Sequence, residues 1–345
     1  MARTRNDALF LKACRREATP RTPVWLLRQA GRYMKEYRDI RAKVPFLELC
    51  KSPDLACEVT VTAAEKIGAD AAIIFSDILL ITEPLGFRLT FASGEGPVIE
   101  NPFLGESSIS ALRSFSAADE LRFVLDAIRN TRAALPPEIP LIGFAGAPFT
   151  VASYLIEGGK SRTFEKTKQL METEPAAWNT LLSAISMATT GYLNAQISAG
   201  ADAVQLFDSW IGVLSPEEYD RSVAPHVRSI FSALPASIPA IHFGTNTAPL
   251  ITRMKMAGGT VIGLDSTVSL DQAWQELGDV AVQGNFDPNL LLGSRSEIEQ
   301  EAKRVLDQAA GRPGHIFNLG HGVLPQTPVD NVRFLIDFVR EESTR

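Results

Sequence analysis

Eight short apolar runs, each closing in polar or glycine residues and separated by amphipathic stretches, limit what this chain can fold into. The runs are VWLL (24–27), AAIIFSD (71–77), LIGFAGAP (141–148), AVQLFDS (203–209), AIHFG (240–244), VIGLD (261–265), VAVQGNFD (280–287) and HIFNLGHG (315–322). Their length and their content of Val, Ile and Phe predict buried strands. Between them the pattern predicts helices over 53–67, 118–134, 162–199 with a break near Pro175, 216–233, 248–257, 270–277, 295–310 and 328–342. Eight strands alternating with helices describe a distorted (β/α)8 barrel better than an open sheet. No Pro/Gly/Ser-rich boundary, low-complexity linker or long-period repeat interrupts the pattern. Residues 1–345 are therefore expected to form a single barrel domain with a helical N-terminal extension.

Charge narrows the partners. With 34 Lys+Arg against 40 Asp+Glu the net charge is -6, so the surface as a whole does not attract polyanions and nucleic acid is not an expected partner. An anionic ligand must instead be met by basic side chains gathered in a site. The three cysteines, Cys14, Cys50 and Cys57, have no CxxC spacing and no histidine at ligand spacing, which argues against a zinc site or a disulfide framework. The start MARTRNDALFLKACRRE has too short an apolar stretch for a signal-peptide core and reads as a surface helix capped by Asn6 or Asp7. No run approaches 18 uncharged apolar residues, so no membrane span is expected, and a reducing cytoplasm fits the whole.

In a (β/α)8 barrel the active site is built at the C-terminal ends of the strands. Arg28, Asp77, Pro148, Ser209, His242, Asp265, Asp287 and His321 all fall at or just beyond a run's last apolar residue. Asp265 and Asp287, beside Ser266 and Pro288, read as helix caps or turn formers. Arg28 and Arg32 bracket Gly31, where the backbone can approach a ligand closely, and guanidinium matches carboxylate or phosphate bidentately. Two solvated arginines on a surface loop would give the same letters.

Asp77 has Ile73, Ile74 and Phe75 before it and Ile78, Leu79 and Leu80 after it. A carboxylate in apolar surroundings is costly unless paired, so it either stabilises a positive charge developing on a ligand or sits in a structural salt bridge. Tyr154, in the helix after the third run, could donate into the mouth or merely pack. FDSW (207–210) offers Asp208 and Ser209. His321 lies between two glycines, which leave it little local packing, and so reads as a site residue, whereas His226 and His315 look like ordinary helix and strand-start positions. GxSxG, GxxxxGK[ST] and GxGxxG are absent, so neither an acyl-transfer elbow nor a phosphate loop is indicated.

Together, PVWLLRQAGRYMKEYR (23–38), FSDIL, GFAGAPFTVASYLIEGG (143–159), FDSW and FNLGHGV (317–323) resemble, in order and over nearly the whole chain, the uroporphyrinogen decarboxylase family of the haem pathway. The resemblance implies a homodimeric, cofactor-free, metal-free decarboxylase on a distorted barrel. Its substrate would be uroporphyrinogen III, its product coproporphyrinogen III. Carried over residue by residue, the family's arginine loop falls on Arg28, Gln29, Ala30, Gly31 and Arg32, its central aspartate on Asp77, its tyrosine on Tyr154, its serine on Ser209 and its histidine on His321. Asp77 and Arg28 are then the expected catalytic residues, and the whole set binds substrate.

Two rivals remain. Methyltransferases of similar fold bind zinc through His-x-Cys and a later cysteine, but His242 is followed two residues on by Gly244, and no cysteine occurs after Cys57. A non-catalytic tetrapyrrole carrier would use the same acid-binding loop and is not separated by the sequence.

Overall fold

The computed structural model describes residues 7–92 and 96–345. Its strands are β1 (Ala72–Ile73), β2 (Leu89–Ala92), β3 (Gly96–Ile99), β4 (Leu141–Gly146), β5 (Ala203–Asp208), β6 (Ala240–Gly244), β7 (Val261–Gly263), β8 (Ala281–Gln283) and β9 (His315–Ile316). Seven of them form one curled sheet in the order β1-β4-β5-β6-β7-β8-β9, every neighbouring pair parallel. Parallel neighbours require a crossover, and the intervening helices supply it. The chain thus has the (β/α)8-barrel architecture, with the sheet itself a curled half-barrel.

The run VWLL does not form a regular strand. Val24 makes a single parallel bridge to Phe317. The segment nonetheless lies between the two edge strands: Phe317 N donates to Pro23 O (2.9 Å), Trp25 N to Phe317 O (3.3 Å) and Asp70 N to Val24 O (2.8 Å). Side chains take the backbone donors that a ladder would use, since Val24 N donates to Asp70 Oδ2 (2.8 Å) and Leu27 N to Asn318 Oδ1 (2.9 Å). The Val24 and Leu27 donors are thus met by side chains rather than by a strand ladder.

The expected helices form with small shifts. Pro53–Ile67 begins on proline and ends at Gly68, whose φ of 71° is the left-handed conformation that closes a helix at low cost. The region 162–199 divides into Glu165–Thr173 and Pro175–Ala199, as Pro175 requires. The stretch 216–233 also divides, into Pro216–Ser222 and Ala224–Ser232, with Pro225 in the first turn of the second piece. The β2–β3 hairpin was not foreseen, because its strands are four residues each and only weakly alternating.

The N-terminal helix, Leu9–Cys14, is not a surface helix. Phe10, Leu11, Ala13 and Cys14 are buried, and Phe10 meets Trp25 edge to face at 6.5 Å. Its N-cap is Ala8, with no side-chain cap; Asn6 lies outside the described residues. Among the described residues no helix is long and apolar enough to cross a membrane.

On β5, Gln205 and Phe207 share one face and Asp208 turns to the other, as the strand period demands. On the first face a buried amide chain runs from Trp25 Nε1 to Gln283 Oε1 (3.0 Å) and from Gln283 Nε2 to Gln205 Oε1 (3.1 Å). Nearer the strand ends, Phe207 packs edge-on to Phe144 (5.4 Å) and Phe243 (5.9 Å). These rings form an apolar floor beneath the loops that carry the candidate residues.

Candidate active site

Arg28 follows a wholly buried run, Val24 to Leu27, and is itself exposed. Its φ is 59°, a left-handed conformation that costs a non-glycine residue roughly 1 kcal/mol or more and that gathers at functional sites. The turn is enforced from both sides: Gln29 N donates to Leu26 O (3.0 Å), and Val323 N donates to Leu27 O (2.9 Å). Asn318, fully buried, fixes the same junction by accepting from both Leu27 N (2.9 Å) and Leu319 N (2.7 Å). The first and last loops of the barrel are thereby stitched together, and the Arg28 side chain passes directly over Gly322.

Asp77 sits beyond β1, half-buried beside Leu79, Leu80 and Ile81, which are buried. Its Oδ1 accepts from Leu79 N (2.8 Å), and among the described residues no ion pair within 4.0 Å reaches it. Desolvation dominates its titration and pushes the carboxyl up to about 6, opposed by the Leu79 N–H and by the charge of Arg28. The structural salt bridge is therefore not what holds Asp77. It is a carboxylate kept in apolar surroundings, with one arginine near enough to act on it but not paired with it.

Tyr154, in the helix Pro148–Glu157, stacks on Trp210 with centroids 4.0 Å apart and planes at 30°. Burial raises its phenol, and the charges of Asp77 and Arg28 both act on it, so it faces the same space as they do. His321 is exposed at its outer face, yet the surrounding protein and Arg28 hold its imidazole below the usual value. Arg28, Asp77, Tyr154 and His321 are thus one electrostatic group drawn from three loops and a helix.

The remaining candidates stand less close. Ser209 is half-buried at the end of β5, where its carbonyl accepts from Thr245 Oγ1 (2.5 Å), and it adjoins Trp210 in sequence. Arg32 is exposed, and its charge is felt at Tyr37, whose ring packs on Phe75, two residues before Asp77. Ala30 and Gly31 are half-buried in the loop. Gln29 differs: its side chain is fully buried, donates to Ala71 O (3.3 Å) and points away from the mouth, while its carbonyl accepts from Tyr33 Oη (2.7 Å). The Gln29 side chain is therefore engaged inside the fold.

Asp265 and Asp287 are local caps: Asp265 accepts from Thr267 N (2.8 Å) and Thr247 N (3.2 Å), and Asp287 from Asn289 N (2.9 Å). His315 lies against Gly284 O (2.9 Å) and His242 against Met254 O (3.3 Å), both buried in the barrel. Among the described residues no three His, Cys, Asp or Glu side chains are grouped to hold a metal ion. Residues that the sequence did not single out are Asn318, Thr150 and Trp210, whose signal is a polar or aromatic side chain set at a strand exit or in the helix that follows it.

Fold and site define a (β/α)8-barrel protein whose mouth brings an arginine to a half-buried, unpaired carboxylate. Residues 5–342 match the family model described as uroporphyrinogen decarboxylase (URO-D). A protein of Sorangium cellulosum named uroporphyrinogen decarboxylase is 55% identical over 96% of this chain and 95% of its own length; one of Carboxydothermus hydrogenoformans with the same name is 52% identical over 98% and 97%. Among solved structures, a methyltransferase from Methanosarcina mazei superposes with a TM-score of 0.81 at 21% identity, covering 98% of both chains, a likeness of fold alone. The chain belongs to the uroporphyrinogen decarboxylase family.

Proposed function

We propose that the protein removes carbon dioxide from the four acetate side chains of uroporphyrinogen III, giving coproporphyrinogen III, without a cofactor. Decarboxylation of an acetate needs somewhere for its electron pair to go, and many enzymes borrow a cofactor for this. A pyrrole can serve as its own sink. Protonation at the ring α-carbon next to the carbon bearing the acetate gives a cationic imine conjugated with that carbon. The carboxylate then leaves as CO2, its bonding electrons forming an exocyclic methylene and neutralising the nitrogen. Protonation of the methylene, with loss of the proton first added to the ring, restores the pyrrole and leaves a methyl.

The observation that carries this reading is Asp77, a carboxylate in an apolar setting, unpaired, with its pKa pushed up to about 6 and therefore ionised at neutral pH. Beyond the Leu79 N–H that Oδ1 accepts, such a group has no cation paired with it among the described residues and is poised to accept hydrogen bonds from pyrrole N–H groups. Its charge offsets the cation that develops on the ring, an effect that strengthens once the macrocycle excludes water. Arg28 and Arg32 bind the substrate's acetate and propionate groups, with Tyr154, Ser209 and His321 orienting the ring through others. The aromatic floor of Phe144, Phe207 and Phe243 offers the macrocycle an apolar seat.

The family resemblance further supports a single barrel domain working in the cytoplasm as a homodimer, for which sedimentation at twice the chain mass is the expected result. The deciding experiment is anaerobic incubation with uroporphyrinogen followed by separation of the products. Partially decarboxylated intermediates and coproporphyrinogen are expected; binding without any loss of carboxylate would make the protein a carrier.

A further inference from the structure

Behind the mouth lies a buried polar chain that the proposed chemistry does not use. Asp208 ends β5 on the face turned toward the helix Pro148–Glu157 and is fully buried. Its Oδ1 accepts from Thr150 Oγ1 at 2.9 Å, and Thr150 Oγ1 in turn accepts from Trp210 N at 3.3 Å. A hydroxyl has one proton, so donating to Asp208 leaves its lone pairs aimed at the Trp210 amide. The chain therefore has a direction and ties three elements together: the end of β5, the first turn of the helix carrying Tyr154, and the loop carrying Ser209 and Trp210.

A buried carboxyl is an expensive way to hold a threonine. Asp208 Oδ2 is buried with no hydrogen-bond partner, as is the hydroxyl of Tyr219, which feels the Asp208 charge. Burial pushes the Asp208 carboxyl up to about 7. Groups kept at such a cost are found where geometry must be exact to a fraction of an ångström. What the chain fixes is the stack of Tyr154 on Trp210, since Tyr154 lies one helical turn beyond Thr150 and Trp210 is the residue whose amide Thr150 receives.

We propose that Asp208 is a positioning residue that, through Thr150, locks the Tyr154–Trp210 stack as a rigid wall of the site. This rests on the reading of the barrel mouth as the substrate site. Neither Asp208 nor Thr150 needs to touch the ligand. Their effect is to set where Tyr154 and Ser209 meet it, so their loss acts on substrate binding more than on the chemical step.

The test compares wild type with Thr150→Val, Thr150→Ser, Asp208→Leu and Asp208→Asn, using near-ultraviolet circular dichroism and steady-state kinetics with uroporphyrinogen. The band contributed by the stack is identified by its loss in Trp210→Phe. Thr150→Val is nearly isosteric and is expected to lose that band with far-ultraviolet dichroism unchanged, and to raise KM roughly tenfold with kcat altered less. Asp208→Leu should behave alike, whereas Thr150→Ser and Asp208→Asn, which keep the hydroxyl and its acceptor, should recover most of both signals. If Asp208→Leu does not fold, Thr150→Val decides. The proposal is overturned if Thr150→Val keeps the band, or if Asp208→Asn is as impaired as Asp208→Leu. A wild-type protein that leaves uroporphyrinogen unchanged would defeat the functional reading, and the dichroism would still decide this one.

Discussion

The Arg28 side chain lies across Gly322 so closely that a Cβ at position 322 would fall 2.3 Å from Arg28 Cδ and 2.6 Å from its Cγ. Two loops at opposite ends of the sequence thus share one volume, and the histidine beside Gly322, His321, feels the guanidinium. Arg28 is itself exposed.

Gly322→Ala tests this placement without touching the arginine. Gly322 does not occupy a left-handed φ, so alanine strains no backbone there, and the clash is with the stem of Arg28, which must swing away. We expect KM for uroporphyrinogen to rise about tenfold, equivalent to about 1.4 kcal/mol of binding, while thermal unfolding moves little. Arg28→Ala should give a similar KM. If Gly322→Ala binds substrate as the parent does, the overlying position of Arg28 has no role in recognition.

Asp77 makes a prediction about stability as well. Its folded pKa of about 6 exceeds the ordinary aspartate value of 3.8, so the folded state holds the proton more tightly than the unfolded chain does. The favourable contribution of the protonated form is complete below about pH 4 and is lost as pH rises through about 6, leaving a cost at neutral pH. Asp77→Asn escapes this cost. By urea unfolding it should match wild type near pH 4 and exceed it at pH 7.5 by on the order of 2 kcal/mol. Asp208 titrates in both proteins and cancels in the difference. A variant less stable than wild type at pH 7.5 would mean that the carboxylate serves the fold.

Asp70 closes the barrel. It accepts from Arg21 Nη1 (2.6 Å) and Nη2 (2.7 Å), from Arg340 Nη2 (3.0 Å) and from Val24 N (2.8 Å), and it is buried. Asp70→Ala leaves two guanidinium groups and a backbone donor short of an acceptor, which should cost about 3 kcal/mol or more in urea unfolding. Because the same bond set fixes Val24, four residues before Arg28, the variant should also bind substrate more weakly than its residual fold would suggest. Equal stability would show that solvent replaces the clamp.

Much of this was legible in the sequence because the barrel writes its period in apolar runs. Helices such as Pro53–Ile67 and Leu270–Leu277 fall where the pattern put them, since proline and glycine mark their ends. The run VWLL reads as a strand because its hydrophobicity reports burial, whereas two of its backbone donors are taken out of strand pairing by Asp70 and Asn318, which lie 46 and 291 residues away from the donors they capture. The N-terminal helix was misread for the opposite reason: its basic flanks hide a face, Phe10 and Leu11, that reaches the core. Arg28, Asp77 and His321 are readable as strand-exit residues of unexpected type, and Tyr154 as a phenol in the helix after a strand. The inward turn of the Gln29 side chain is not readable, because nothing local marks it. The Asp208–Thr150 chain was hidden likewise, since 58 residues separate its partners.

The central claim is that ionised Asp77 stabilises a positively charged macrocycle, and single-turnover decarboxylation of uroporphyrinogen by Asp77→Asn under anaerobic conditions tests it most directly. The amide keeps the acceptor for Leu79 N but carries no charge, so substrate should still bind while the first loss of CO2 slows by roughly a hundredfold or more. In wild type, kcat/KM should rise with pH through about 6 as the carboxyl ionises. Asp77→Asn turning over at the wild-type rate would contradict the account.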